Sequence, residues 1–199
     1  MSGPRHARPG RIRIIGGRLR NSRLDVPELP GLRPTPERVR ETLFNWLAPA
    51  IEGARCLDLC AGTGALGIEA LSRGAASVQF VEPDARAAQA LRENLRRLQA
   101  VGGELATAPA QQYLRGTPQP VDLAFLDPPF ALALWAQLAG QLEDGWLTAR
   151  AWVYVESPRG TLPQLPPNWR LHREGAAGEV RFALYRRGDE ADPPMAHRA

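Results

Sequence analysis

The chain has 199 residues, 25 basic and 21 acidic side chains, and a formal net charge of +4. Its 44% hydrophobic and 23% charged content fits one globular domain with a small appendage and excludes collagen-like, fibrous and largely disordered chains. All 25 bases are arginine, which rules out a Schiff-base lysine and a P-loop lysine on phosphate.

Charge is divided along the chain. Residues 1–40 carry ten arginines against Asp25, Glu28 and Glu37, a net +7, whereas the remaining 159 residues carry −3. A basic leading segment on a slightly acidic body points to a polyanion partner. No apolar run approaches the ~20 residues of a membrane span, and Met1 to Gly10 lacks the apolar stretch of a signal peptide. Cys56 and Cys60 cannot form a structural zinc site alone, and His6, His172 and His197 are scattered. The sequence therefore predicts no metal, no membrane, and reduced structural thiols in a cytoplasmic protein.

In chain order, residues 1–10 are expected to form a flexible tail. Arg11 to Ile15 alternates charged and apolar residues as a half-buried strand does, Gly16-Gly17 follows, and a second short strand runs through Leu24 to Val26. Pro27 to Pro34 is loop. Thr35 suits an N-cap and Pro36 the first position of a helix ending near Leu47, with Val39, Leu43 and Leu47 on one face.

From residue 54 strands and helices alternate. Strands are expected at Cys56 to Cys60, Ser77 to Val81, Glu104 to Thr107, Val121 to Leu126 and Ala151 to Glu156. Helices are expected at Leu66 to Ser72, Asp84 to Leu98, Ala110 to Leu114 and Ala131 to Leu142. Trp169 to Glu174 and Glu179 to Tyr185 form two closing strands, and residues 188–199 read as a disordered tail. The alternation predicts an α/β fold with a doubly wound, mostly parallel sheet, whose ligands bind at the C-terminal ends of the strands.

Three candidate sites fall at such strand ends. The first is Asp58 with the loop through Ala61, Gly62 and Gly64. Its glycines allow close approach of a ligand, and the loop opens a helix whose N–H groups face that ligand. Gly62, Gly64 and Gly67 also fit the dinucleotide template, so they do not separate a nicotinamide cofactor from another adenosine cofactor. The second is Glu82, followed by Pro83. An acid about twenty residues after the loop accepts ribose hydroxyls; capping the next helix, its other possible task, suits Asp84 better.

The third is Asp127-Pro128-Pro129-Phe130. Two prolines remove two N–H donors and stiffen the backbone, leaving a carboxylate, rigid carbonyls and an aromatic ring. That acceptor-rich pocket suits an exocyclic amino group on a planar base rather than hydride transfer.

Asp58 with Gly62-Thr63-Gly64, Glu82 and Asp127-Pro128-Pro129-Phe130 resemble the motifs of class I methyltransferases that methylate amino nitrogens. More closely, the chain resembles the bacterial RsmD family, the 16S ribosomal RNA guanine-966 N2-methyltransferases. The matching stretches are Arg13 to Gly17, Gly31 to Thr35, Arg38 to Leu47, Leu66 to Arg73, Tyr154 to Ser157 and Asn168 to Glu174.

The resemblance implies a Rossmann-like, seven-stranded mixed sheet, S-adenosylmethionine as cofactor, and 16S ribosomal RNA, within a small-subunit particle, as partner of a monomer. It divides the chain into a tail (1–10), an RNA-binding hairpin and helix (11–50), a catalytic domain (51–187) and a second tail (188–199). Asp127, Pro128 and Phe130 become the catalytic residues, with Pro129 beside the base. Asp58, Ala61, Gly62, Gly64, Glu82 and Pro83 become the cofactor site.

One position departs. Where the family commonly places Asp or Asn against the cofactor's adenine, this chain has Pro109, leaving that contact to backbone groups, Gln111 or Gln112. Arg13, Arg18, Arg20, Arg23, Arg33 and Arg38 are the candidate RNA contacts. Arg33, Arg38 and Arg40 could instead pair with carboxylates such as Glu37 and Glu41. Three further readings remain: an adenine-N6 methyltransferase on DNA or RNA, a nicotinamide oxidoreductase, and a non-catalytic RNA-binding assembly factor.

Overall fold

The computed structural model describes residues 10–27, 29 and 35–188. Arg33, most of each expected tail and most of the loop at 27–34 lie outside them.

Gly10 does not belong to a tail but opens strand β1 (Gly10–Arg13), which pairs antiparallel with β2 (Arg23–Val26), Ile12 opposite Leu24. The apolar residues of this hairpin turn inward. Ile12, Ile14, Leu24 and Val26 are buried in one contiguous core with Val39, Leu43, Phe44 and Leu47 of α1 (Glu37–Leu47). The hairpin and α1 thus share the core of the chain that follows.

That chain forms β3 (Arg55–Asp58), α2 (Ala65–Ser72), β4 (Ser77–Val81), α3 (Ala85–Arg97), β5 (Gly103–Ala106), α4 (Ala110–Tyr113) and β6 (Val121–Leu126). It continues with α5 (Trp135–Glu143), β7 (Leu147–Pro158), β8 (Trp169–Ala177) and β9 (Val180–Arg187). One seven-stranded sheet has the order β5-β4-β3-β6-β7-β9-β8. Neighbours from β5 to β7 are parallel, while β9 is antiparallel to both β7 and β8. Side chains alternate between the faces along each strand. Cys56, Val78, Phe80, Leu123, Phe125 and Tyr154 face the hairpin, α1, α2 and Leu91 of α3. Leu57, Val81, Ala124, Leu126, Val153 and Val155 face α4 and α5.

Helix α2 lies close on the sheet, with all its residues buried. A Cβ on Gly67 would sit 2.2 Å from the Phe80 ring, so the third glycine of the loop is required by helix–strand packing. Asp84 caps α3, its Oδ1 accepting from the Arg86 and Ala87 N–H groups at 2.8 and 3.0 Å.

Two local expectations fail. Thr35 does not cap α1; the flanking residue is Pro36 and no side chain caps the helix. The Thr35 hydroxyl instead donates to Glu156, 2.8 Å away, a tertiary partner that outweighs the local one. The helix expected at Ala131 to Leu142 is broken into a 3₁₀ turn (Phe130–Leu132) and α5, with Ala133 left-handed between them at φ 47°. The break lets the buried Trp135 indole N–H reach the Glu156 carbonyl at 2.7 Å, tying α5 to the end of β7.

Candidate active site

Asp58 ends β3, Glu82 follows β4, Asp127 follows β6 and Glu156 lies near the end of β7. Continuing the alternation of each strand puts all of them on the face that carries Phe80, Phe125 and Tyr154. In the strand order they stand Glu82, Asp58, Asp127, Glu156, a row of carboxyl groups along the C-terminal edge. Neighbouring strands are ~4.8 Å apart, so each group feels the next. Burial, followed by the charges of Glu156 and Asp58, raises the Asp127 carboxyl well above its usual range.

At the cofactor loop, Gly62 and Gly64 have φ of 52° and 75°, conformations that glycine adopts without strain. The Gly62 N–H donates to Glu82 Oε2 at 2.7 Å and the Asp84 N–H to Glu82 Oε1 at 2.8 Å. These bonds aim the buried Glu82 into the loop, and each oxygen keeps further acceptor capacity. The Gly67 N–H donates to Asp58 at 3.1 Å. Ala61 is buried at the loop's base, its N–H bonded to the Val81 carbonyl, and Pro83 is exposed. Pro109 flanks α4; beside it Gln111 is half-buried and Gln112 exposed. Burial, then the charges of Asp127, Asp58 and Glu82, pushes the Cys60 thiol up, which makes it a poor nucleophile.

At the third site Pro128 is buried, Pro129 exposed and Phe130 half-buried with its ring 5.9 Å from that of Trp135. Asp127 is half-buried, and its carboxyl accepts no hydrogen bond from the described residues. Glu156 beside it is buried, and its Oε1 accepts from both Thr35 and Tyr154 hydroxyls at 2.8 Å. Burial raises the Glu156 carboxyl while those two donors pull it back. The sequence placed Glu156 at the end of an expected strand and in a matching stretch but gave it no role; the available signal was a charged residue ending an otherwise apolar strand.

The model of the family described as "Conserved hypothetical protein 95" matches residues 12–186. "Ribosomal RNA small subunit methyltransferase D" of Escherichia coli strain K12 is 49% identical over 189 residues, 94% of this chain and 96% of that protein. The protein of the same name from Haemophilus influenzae is 43% identical over 182 residues, 88% of this chain and 94% of that one. The chain belongs to the RsmD family. A solved structure of the Escherichia coli protein yhhF superposes on this RsmD chain with a TM-score of 0.84 at 46% identity, covering 91% of this chain and all of that one. The fold is that of class I methyltransferases, as the sheet order and strand-end motifs require.

The candidate RNA arginines of this RsmD chain separate. Arg13 is exposed, and its guanidinium hydrogen-bonds and pairs with the exposed Glu37. Arg18, Arg20, Arg23 and Arg38 are exposed, without an ion pair among the described residues. Arg40 pairs with neither Glu37 nor Glu41. It is buried against Glu69, with Nη1 3.3 Å from Oε2, and also donates to the Arg13 and Thr35 carbonyls. Glu69, on α2, further accepts the Ile15 and Gly16 N–H groups at 2.8 Å each and the Arg73 guanidinium at 2.8 Å. The loop bearing Arg18 and Arg20 is thereby docked on the helix that the cofactor loop opens.

Burial, opposed by the Gly67 N–H and aided by Glu82, raises Asp58 from 3.8 to about 7. The raised value means that the folded state favours the protonated form. Stability from this group is fully present below about pH 4 and is lost as pH rises to about 7. Asp58→Asn removes this component, so its urea midpoint should fall less between about pH 5 and pH 7 than that of the wild type. The component is worth on the order of 1 kcal/mol per pH unit. Parallel midpoint curves for the two proteins would contradict the assignment.

Proposed function

We propose that this chain transfers a methyl group from S-adenosylmethionine to the exocyclic N2 of a guanosine, position 966, in 16S ribosomal RNA, presented within a small-subunit particle. The observation that carries this reading is the carboxyl row ending beside Asp127-Pro128-Pro129-Phe130. Four acidic groups along one edge attract a cofactor bearing cationic sulfonium and ammonium groups and repel the pyrophosphate of a nicotinamide dinucleotide.

The residues present fit S-adenosylmethionine. Glu82 is held by two backbone N–H groups and retains lone pairs for a ribose diol, while Gly62 and Gly64 leave two positions of the loop without a Cβ atom. A Cβ on Gly64 would lie 2.3 Å from Leu91 Cδ1, so packing also requires that glycine. Asp58 stands next in the row, and Gln111 is the half-buried polar side chain beside Pro109. When bound, the cofactor supplies a methyl group already activated on sulfur.

The protein's task lies on the acceptor side. The lone pair of a guanine N2 is delocalised into the ring and is a weak nucleophile. Asp127 and the Pro128 carbonyl accept its two N–H bonds and draw the nitrogen toward a tetrahedral, reactive geometry. Holding it there supplies proximity and orientation. Phe130 offers a face for a base turned out of its stack. The proton lost from N2 passes to Asp127, whose raised basicity suits it to that role.

The exposed Arg18, Arg20 and Arg23 hold RNA phosphates near the target. Replacing each by alanine should weaken RNA binding uniformly across sequences and lower the salt slope by about one per arginine, with cofactor affinity unaltered. Filter binding between low and moderate salt reads both quantities; an unchanged slope in the triple variant removes the hairpin from the RNA interface.

The function itself is tested by incubating the protein and labelled S-adenosylmethionine with small-subunit particles from a strain lacking this methyltransferase, then identifying the methylated nucleoside by mass. N2-methylguanosine is the expected product. N6-methyladenosine, or no turnover, overturns the reading.

A further inference from the structure

Glu156 is a buried carboxyl, and the described residues donate to one of its two oxygens. Both of its hydroxyl donors, Thr35 and Tyr154, bond to Oε1, and Oε2 accepts no hydrogen bond from a described residue. In the parallel pairing of β6 and β7, Leu126 stands opposite Val155, so the next positions along, Asp127 and Glu156, are neighbours on the same face. Asp127 is likewise without a hydrogen bond from the described residues. Among the described residues, two adjacent carboxyl groups thus keep acceptor capacity without donors, an arrangement that burial makes costly unless donors arrive. The hydroxyls on Oε1 fix the orientation of Glu156 and reinforce its role as an acceptor.

We infer that Glu156 reads the base: its Oε2 accepts the N1–H of guanine while Asp127 accepts from the adjacent N2 amino group. This rests on the guanosine reading above and deepens it. The edge of guanine carries N1–H and N2–H₂ side by side, donors only, which matches two carboxylates. Adenine offers an amino group next to a bare N1 lone pair, so its N1 would face a carboxylate oxygen, acceptor against acceptor. Asp127 alone accepts an amino group from either base; the second carboxylate makes the choice.

The test compares RNA bearing guanosine at the target position with RNA bearing 2-aminopurine there. The latter keeps the N2 amino group but has a lone pair at N1 in place of N1–H. Methylation rates (kcat/KM) are measured for the wild type and for Glu156→Gln on both RNAs, with product nucleosides identified by mass. The wild type is expected to favour guanosine by about tenfold to a hundredfold, the effect of a hydrogen bond to a charged group. Glu156→Gln should lose activity on guanosine and narrow that preference, since its amide can donate to the bare N1. Loss of the O6 atom in 2-aminopurine affects both enzymes alike, so the change in preference isolates the N1 contact.

A folded Glu156→Gln variant with an unchanged preference overturns the inference. So does a wild type that methylates both RNAs equally, a result that does not depend on how the variant folds. A wild type that methylates a nucleoside other than guanosine overturns the guanosine reading and this inference with it, and the mass of the product distinguishes that failure from the others.

Discussion

Asp127→Asn is expected to lower methyl transfer by about 10²–10⁴-fold, the usual contribution of a positioned general base, with little change in cofactor affinity. The substitution keeps the shape of the side chain but turns a carboxylate oxygen into an NH₂ group. That group would meet the amino hydrogens of the base donor to donor, and the amide cannot take the released proton. Asp127 has no hydrogen bond from another described residue, so its loss should leave the surrounding structure intact. It also removes a charge repelled by Glu156 and Asp58, which should raise stability slightly. Single-turnover methylation together with cofactor titration separates these effects: the rate falls and the binding isotherm stays in place. A variant that turns over at the wild-type rate would remove Asp127 from the chemistry.

Glu69→Ala should be the most destabilising single change, costing about 3–5 kcal/mol, the range for removing one partner of a buried ion pair. Whole domains have a stability of roughly 5–15 kcal/mol. The glutamate is fully buried, and its loss strands Arg40, 1% exposed, in the core. The Ile15 and Gly16 N–H groups lose their acceptor at the same stroke. Urea unfolding measures the effect. The double variant Glu69→Leu/Arg40→Met should recover part of it, because an apolar pair leaves no uncompensated charge. Ser72 still holds the loop, its carbonyl accepting from the Arg18 N–H at 2.7 Å and its hydroxyl from the Leu19 N–H at 2.9 Å. Under conditions where Glu69→Ala remains folded, RNA affinity should nevertheless fall more than cofactor affinity, because the loop bearing Arg18 and Arg20 has lost its Ile15 and Gly16 anchors on α2. A loss below about 1 kcal/mol, the size of an exposed pair, would show that the cluster is not the clamp the geometry describes.

The clamp also bears on how charge is used. The arginine-rich leader first reads as a polyanion-binding segment, but its members have different roles. Arg40 is a core residue, Arg13 pairs with Glu37, and Arg18, Arg20 and Arg23 remain on the surface. Net charge identifies the segment; burial decides which guanidinium groups could touch RNA.

What the sequence determined by itself was whatever depends on near neighbours. The alternation of strand and helix from β3 to β7 was legible because each element carries its own period and its own punctuation. Gly62, Gly64, Glu82 and Asp127 were legible because each sits where a strand ends and the chain must turn. Asp84 declared itself as a cap because its partners lie two and three residues away. Tertiary structure decided the rest. Thr35 had every local mark of an N-cap, yet its hydroxyl went to Glu156, 121 residues away in sequence. Glu156 showed its character only when β7 paired with β6 in a register that set it beside Asp127, and Glu69 only when the hairpin folded over α2. A buried polar group takes the partner that packing brings to it, and strand register and helix docking are settled by the whole core rather than by any short stretch of chain.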